Sequence, residues 1–204
     1  MIVIFGAGGH AKVVLEAIRA TQPNLLVTVL DDGQQPAGAN LLGAPIVTGR
    51  DWLSAHWPDA QVALGIGNNA ARQEIVDWLL TQARPLATVI HPAAVISPSA
   101  RIGGGSFLAA GGVVNADAGI GEGVIINTGA SVDHDCVVGS CAHIAPGARL
   151  CGGIRVGARA LIGAGAVLIP GVSIGADAVV GAGSVVLNDV PAGSKVAGCP
   201  AEPI

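Results

Sequence analysis

From Ile90 to Val186 a branched aliphatic residue returns every six positions without a break in register. The ladder reads Ile90, Ile96, Ile102, Leu108, Val114, Ile120, Ile126, Val132, Val138, Ile144, Leu150, Val156, Ile162, Leu168, Ile174, Val180 and Val186. Two residues before each rung, from Ala100 onward, stands a mostly small residue. The position after the rung is often Gly, as at Gly103, Gly121, Gly139, Gly157, Gly163, Gly175 and Gly181. Such a repeat predicts a solenoid in which each hexapeptide supplies a short strand and a turn. The aliphatic side chain points inward, the small residue fills the space beside a corner, and Gly accommodates the turn backbone. Three hexapeptides make one coil of eighteen residues, so the ladder predicts five to six coils of a triangular prism. Stacked coils bond in parallel, and each buries its neighbour's face.

The rest of the composition agrees with thin regular layers. Hydrophobic residues make up 51% of the 204, yet aromatics are only 2%, Tyr is absent and Gly numbers 31. A core so short of rings must be filled by Ile, Val, Leu and Ala. Charged residues are 12% and the formal net charge is −4, which argues against a nucleic-acid partner. Met1 leads directly into Ile2-Val3-Ile4-Phe5 with no basic leader, and no apolar run is long enough for a membrane span. The four cysteines, Cys136, Cys141, Cys151 and Cys199, form no CxxC pair. Free thiols in a reducing cytoplasm are expected.

Residues 1–87 read as a separate α/β unit, a Rossmann-like half-domain, ahead of the all-β parallel β-helix of residues 88–204. Ile2–Phe5 is a buried strand, Gly6-Ala7-Gly8-Gly9-His10-Ala11 a glycine-rich turn, and Lys12–Ile18 has helical apolar spacing. Strand, glycine turn and helix together make a phosphate-binding unit. Gly6, Gly8 and Ala11 fit the G-x-G-x-x-G/A spacing. Val27–Leu30 is a second strand ending at Asp31-Asp32, where a carboxylate can accept from ribose hydroxyls or a base NH. Val62–Gly67 is a further strand running into Asn68-Asn69, and Arg72–Gln82 a helix. The unit has room for a mononucleotide, so a nucleotide-sugar fits better than a redox dinucleotide.

The solenoid also carries polar residues that its packing does not require. They concentrate in Asn127-Thr128 and Asp133-His134-Asp135-Cys136, followed by His143. His134 has a carboxylate on each side. A neutral imidazole is a good general base near pH 7, and a carboxylate on its far nitrogen orients it and raises its basicity. Acyl transfer needs such a base, an aligned thioester and NH donors for the oxyanion. His134 and His143 stand nine residues apart, half a coil, and so belong on different sides of one prism. They can meet only across a subunit interface. The competing reading is zinc held by His91, His134 and His143 between subunits, for which the spacing of the three is poor; no metal is expected. His56 and His91 read as structural, and Cys136, in the small-residue column, as core filling.

These residues resemble the nucleotide-sugar acetyltransferases of the bacillosamine, perosamine and sialic acid pathways, within the hexapeptide-repeat acyltransferase superfamily. The resemblance rests on Gly6-Ala7-Gly8-Gly9-His10, Asp31-Asp32, Gly65-Ile66-Gly67-Asn68-Asn69, Asn127-Thr128, Asp133–Cys136, His143 and Gly198-Cys199-Pro200-Ala201. It implies a left-handed β-helix, a homotrimer with interfacial active sites, acetyl-CoA as co-substrate and a UDP-4-amino-sugar type of acceptor. It implies His134 as catalytic base and Asp135 as the acid that raises its basicity, in place of the frequent Glu. It further implies His143, Ala164 and Ala182 along the acetyl-CoA channel, and Gly8, Gly9, His10, Asp31, Asp32 and Gly67 around the nucleotide-sugar. A backbone NH near Gly152 is a candidate oxyanion donor. Glu202 stands where the family often has a basic residue, with Lys195 the nearest substitute. The alternatives are a sugar or sialic acid O-acetyltransferase and a non-catalytic nucleotide-sugar scaffold.

Overall fold

The computed structural model describes residues 1–57 and 59–204. Its N-terminal sheet is built on β1 (Ile2–Phe5), whose four residues are all buried. β2 (Val27–Asp31) and β5 (Gln61–Leu64) flank it in parallel, with Phe5 opposite both Leu30 and Leu64. β3 (Asn40–Leu41) and β4 (Ala44–Thr48) extend the sheet beyond β2, giving the order β3-β4-β2-β1-β5. Among the described residues three helices accompany these strands: α1 (Gly9–Thr21) between β1 and β2, α2 (Arg50–His56) between β4 and β5, and α3 (Asn69–Thr81) after β5. α1 begins three residues earlier than the apolar spacing indicates, so Gly9, His10 and Ala11 form its first turn and the glycine turn proper is only Gly6–Gly8. α3 likewise starts at Asn69, because the Asn68 side chain caps it by accepting from the Ala71 N–H at 2.9 Å. The hydrophobic pattern did not reveal β3, β4 or α2.

The glycine turns after β1 and β5 lie side by side, because the two strands end in register. Gly6 has φ +103°, and a Cβ on Gly65 would stand 2.7 Å from Ala11 Cβ and 2.8 Å from Ile4 Cγ2. Only bare backbone permits this approach of two strand ends and a helix start. It leaves a hollow at the carboxyl end of the sheet, where open α/β sheets hold ligands.

At β6 (Val89–Ile90) the chain enters the solenoid, and every rung of the ladder closes a two-residue strand, down to β22 (Val185–Val186). Each strand pairs in parallel with the strand eighteen residues on, as Ile125 does with Phe107 and His143. The first face of the prism starts at β6, the second at β7 (Val95–Ile96) and the third at β8 (Arg101–Ile102). The inward rungs from Leu108 to Val186 form one buried core with the small-residue column between them. The ladder opens at its start, where Ile90 is 38% exposed. Beyond Val186, β23 (Lys195–Ala197) continues the first face and β24 (Glu202–Pro203) folds back antiparallel on it.

The glycines after the rungs serve a purpose other than turn conformation. Their φ values are ordinary; the positive-φ position is two residues later, filled by glycines and by Asp117, Asp135, Cys141, Arg159 and Asp177. What Gly103, Gly121, Gly139, Gly157, Gly163 and Gly175 provide is clearance. A Cβ on Gly139 would lie 2.6 Å from Ala158 N of the coil above, and the others meet the next coil's backbone in the same way.

The α/β unit packs on the first face. Phe107, Ala109 and Ile125 join the core around α1, and Cys141 joins the core around α3. The second and third faces remain outside this contact.

Gly139→Ala should therefore destabilise the fold by about 1–3 kcal/mol, since a rigid backbone must move. Gly111→Asp, at a corner of the kind Asp117 and Asp177 already occupy, should cost about 1 kcal/mol or less. Urea unfolding of the two variants gives the comparison.

Candidate active site

His134 stands on the corner between the second and third faces, just after β13 (Ser131–Val132). Three neighbours shape it. Asp133 Oδ1 accepts from the His134 N–H at 2.8 Å and from Asn115 Nδ2 of the coil below at 3.0 Å. Asp135 takes the positive-φ position, φ +60°, which Asp tolerates better than most residues. That conformation returns its carboxylate to His134, with Oδ2 2.8 Å from Nδ1. A carboxylate can only accept, so Nδ1 carries the hydrogen and Nε2 presents a lone pair. The bond from Asp135, helped by the charge of Asp133, raises the His134 pKa above its ordinary value.

The ring lies over Gly152, at the same corner one coil on. A Cβ there would stand 2.6 Å from Nε2. The pair is otherwise open, with side-chain exposures of 60% and 66%. Cys136, two residues away, points inward and donates its thiol to Cys151 O at 3.1 Å. Burial pushes that thiol's pKa up, so it is no nucleophile.

His143 lies on the first face, in β15 (His143–Ile144), under the α/β unit. Asn127 Oδ1 accepts the Thr128 N–H at 2.8 Å, which turns Asn127 Nδ2 toward His143 Nε2 at 3.0 Å. Nε2 is therefore an acceptor. Burial, then the charge of Arg72, lowers the His143 pKa to about 4. His143 lines a cleft of about 390 Å³ with Gly67, Asn68, Asn69, Ala70, Arg159, Leu161, Asp177 and Val179.

A second hollow of about 390 Å³ is lined by Gly6, Ala7, Gly8, Gly9, His10, Asp31, Gly65, Ile66 and Gly67. The two share Gly67. His10 packs edge-on against Phe107 of the first face, with ring centroids 5.2 Å apart. Its Nε2 is buried without a hydrogen-bond partner. Burial, then His143 and Arg72, lowers its pKa to about 4. Asp31 is already engaged: Oδ2 accepts from Ala7 N and Oδ1 from Gly33 N, each at 2.8 Å. It braces the glycine turn, with lone pairs to spare for a ligand. Asp32 instead pairs with Arg50 at 2.8 Å and is not among the residues lining the hollow.

The chain thus gathers Gly8, Gly9, His10, Asp31 and Gly67 around one hollow and puts His143 in the cleft beside it. Ala164 and Ala182 follow the first-face strands Leu161–Ile162 and Val179–Val180, one coil apart, on the corner that also carries Asn127. His134, Asp135 and Gly152 occupy the vertex opposite the first face. Half a coil separates the two histidines, as their spacing requires, and the prism itself keeps them apart. Among the described residues no group of three His, Cys, Asp or Glu could hold a metal ion.

Residues 1–79 match the family described as the PglD N-terminal domain, and residues 153–188 the bacterial transferase hexapeptide (six repeats). The acetyltransferase domain of PglB from Neisseria gonorrhoeae FA1090 is 38% identical, with a TM-score of 0.94 over 100% of this chain and 98% of that one. The chain belongs to the nucleotide-sugar acetyltransferase family of hexapeptide-repeat proteins. PerB from Caulobacter crescentus, solved with CoA and GDP-perosamine, is 42% identical at a TM-score of 0.91, covering 100% and 96% of the two chains. UDP-N-acetylbacillosamine N-acetyltransferase of Bacillus subtilis (strain 168) is 37% identical over 119 residues. That match covers 53% of this chain and about half, 51%, of the length of that curated relative.

Within this member of the family, sequence reasoning missed Arg72 and the Arg159–Asp177 pair at the cleft. Arg72 shares the buried stripe of α3 with Ile75, Val76 and Leu79. A cation at spacing i, i+3, i+4, i+7 with apolar residues was the available signal. Arg159 and Asp177 are eighteen residues apart and bond at 2.7 Å through Nε, a pairing that the coil period makes predictable. Lys195 stands on the first face opposite Val179, in the column that runs up from His143.

Gly152→Ala should push the His134 ring off its seat. The His134 midpoint should then fall back toward 6.5 in an NMR titration, with the fold unchanged. A second expectation concerns His10 and His143, both neutral at pH 7. Unfolded histidines titrate near 6.5, so below that pH the unfolded chain binds protons that the folded chain refuses until about 4. Thermal stability should therefore fall as the pH drops from about 6.5 toward 4, and less steeply in His10→Gln.

Proposed function

We propose that the chain is an acetyl-CoA-dependent N-acetyltransferase acting on a nucleotide-linked amino sugar of the UDP-4-amino-sugar type, working as a cytoplasmic homotrimer. The observation that carries this is the oriented pair at the exposed corner: Asp135 holds Nδ1 of His134 at 2.8 Å and leaves Nε2 free to accept a proton. Relatives are N-acetyltransferases by name, and two were solved with acetyl coenzyme A or with CoA and GDP-perosamine. The four cysteines are all free, which suits a reducing compartment. No helix among the described residues is long and apolar enough to cross a membrane.

On this reading residues 1–87 hold the nucleotide-sugar, through Gly8, Gly9, His10, Asp31 and Gly67 around the hollow, with Asp32 next to Asp31 and paired to Arg50. Residues 88–204 hold acetyl-CoA, with Ala164 and Ala182 lining its channel and His143 near the acetyl group. The sugar amine attacks the thioester carbonyl while the base removes its proton. The carbonyl oxygen takes up negative charge beside the backbone at Gly152, and the C–S bond then breaks. The proton passes from Nε2 of His134 to the departing sulfur, giving the amide and free CoA. Cys136 is buried and bonded, and no acyl-enzyme step is invoked. Since one prism sets His134 opposite His143, the base is supplied by a neighbouring subunit.

His134→Ala should reduce turnover by about 10²–10⁴-fold while acetyl-CoA binding stays within about threefold. Coexpressing His134→Ala with His143→Ala should restore about a quarter of wild-type turnover, the share of interfaces that receive both intact histidines. No recovery would place the site within one chain. Turnover on hydroxyl but not amino acceptors would make the enzyme an O-acetyltransferase, and none on either would leave a sugar-nucleotide scaffold.

A further inference from the structure

Arg72 is fully buried, at 0% exposure, and no carboxylate lies among its hydrogen-bond partners. Its guanidinium donates instead to six oxygens drawn from both halves of the chain. Nη1 reaches Ile66 O at 3.0 Å and Gly67 O at 3.1 Å, in the turn that the hollow and the cleft share. Nε reaches Gly123 O at 2.7 Å, and Nη2 reaches Cys141 O at 2.7 Å and Ala142 O at 3.3 Å, all in the β-helix. Nη2 also donates to Asn69 Oδ1 at 2.8 Å. Asn69 in turn donates from Nδ2 to Arg159 O at 2.9 Å and Ala160 O at 3.1 Å. Burying a charge without a counter-charge is costly. Packing alone would be served by Leu or Met at this point of α3. What a planar fork adds is a set of fixed directions.

Resting on the transferase reading above, we propose that Arg72 is a positioning residue, setting the separation between the nucleotide-sugar hollow and the His143 strand by holding the Ile66–Gly67 turn and the Cys141–Ala142 corner on one guanidinium. The β-helix side of this latch is rigid, because Cys141 N bonds to Glu122 O and His143 N to Ala160 O in neighbouring coils. The other side is the 66–69 stretch between the end of β5 and the start of α3. Arg72 therefore fixes where the acceptor sugar ends relative to the acetyl group, while leaving the acetyl-CoA channel on the far corner untouched. Burial first, and then the charge of Arg72, disfavours protonation of His10 in the hollow and His143 in the cleft.

The test compares wild type with Arg72→Lys, which keeps the charge and loses the fork, and with Arg72→Met, which loses both. Two measurements are made: steady-state kinetics in each substrate, and amide hydrogen exchange. Arg72→Lys should fail to rescue, with kcat down about 10²-fold as expected for a misplacement near 1 Å. The acceptor KM should rise in both variants while the acetyl-CoA KM stays within about threefold. Exchange should quicken at residues 66–70 and stay unchanged at 160–168. Wild-type kcat in Arg72→Lys, or an equal rise in both KM values, would overturn the proposal. If the wild type acetylates no amino-sugar nucleotide, the transferase reading falls by itself. Exchange at 66–70 then decides the latch, and no change in Arg72→Lys refutes it. Should neither variant fold, Asn69→Ser removes one acceptor and the tether to Arg159 and Ala160. It should quicken the same amides, and unchanged exchange there refutes the latch as well.

Discussion

Coil rests on coil in this prism with bare backbone between them at the glycines that follow the rungs. Where Gly139 or Gly121 lies beneath the next turn, backbone meets backbone, and a single Cβ would part the layers. The tight rise keeps the parallel hydrogen bonds in eighteen-residue register from β6 to β22. It also keeps the inward column of Ile, Val and Leu continuous, so each layer's apolar surface is sealed by the next. Everything chemical in the β-helix hangs on that regularity. His134 finds Asn115 below it, through Asp133, and Gly152 above it because the layers are in phase. Arg159 finds Asp177 for the same reason.

The α/β unit has no such internal repeat and borrows its placement from the solenoid. Its sheet ends in two glycine turns that hold a hollow open, and one of these turns lies against the first face. Apolar contact through Phe107, Ala109 and Ile125 supplies the adhesion. Direction comes from the polar contacts of Arg72 and Asn69, which point into particular carbonyls. The result is a junction at which two neutral histidines and a buried cation lie together with no carboxylate bonded to them. Such a place suits an uncharged amine better than an ammonium, since desolvation there disfavours positive charge.

How much of this could be read beforehand depended on whether the signal was periodic. The ladder of aliphatics gave all seventeen strands and the coil length, and nine residues between His134 and His143 gave their opposition. The Asp–His–Asp run announced an imidazole oriented by a carboxylate. By contrast β3, β4 and α2 follow no apolar period: they are too short to show one, Gly43 and Gly49 separate them, and Pro45 lies within β4. Asp31 and Asp32 looked alike in sequence, yet one braces Ala7 and Gly33 while the other faces Arg50. Arg50, eighteen residues on at the start of α2, is what sets Asp32 apart. The recurrent glycines show their column in the sequence but not their purpose, because local conformation is visible in a residue type and interlayer clearance is not.

The register has a consequence for how such a chain can change in length. Position on the prism is a remainder after division by eighteen: His134 and Gly152 share one phase, Ala164 and Ala182 another. An insertion of one residue would turn inward side chains outward, and one of six would carry every later group to the next face. Only whole coils leave the angular map of the chemistry intact. Length in this architecture is therefore quantised: the stack can gain or lose a complete turn at its far end while the His134 vertex and the side facing the α/β unit keep their bearings.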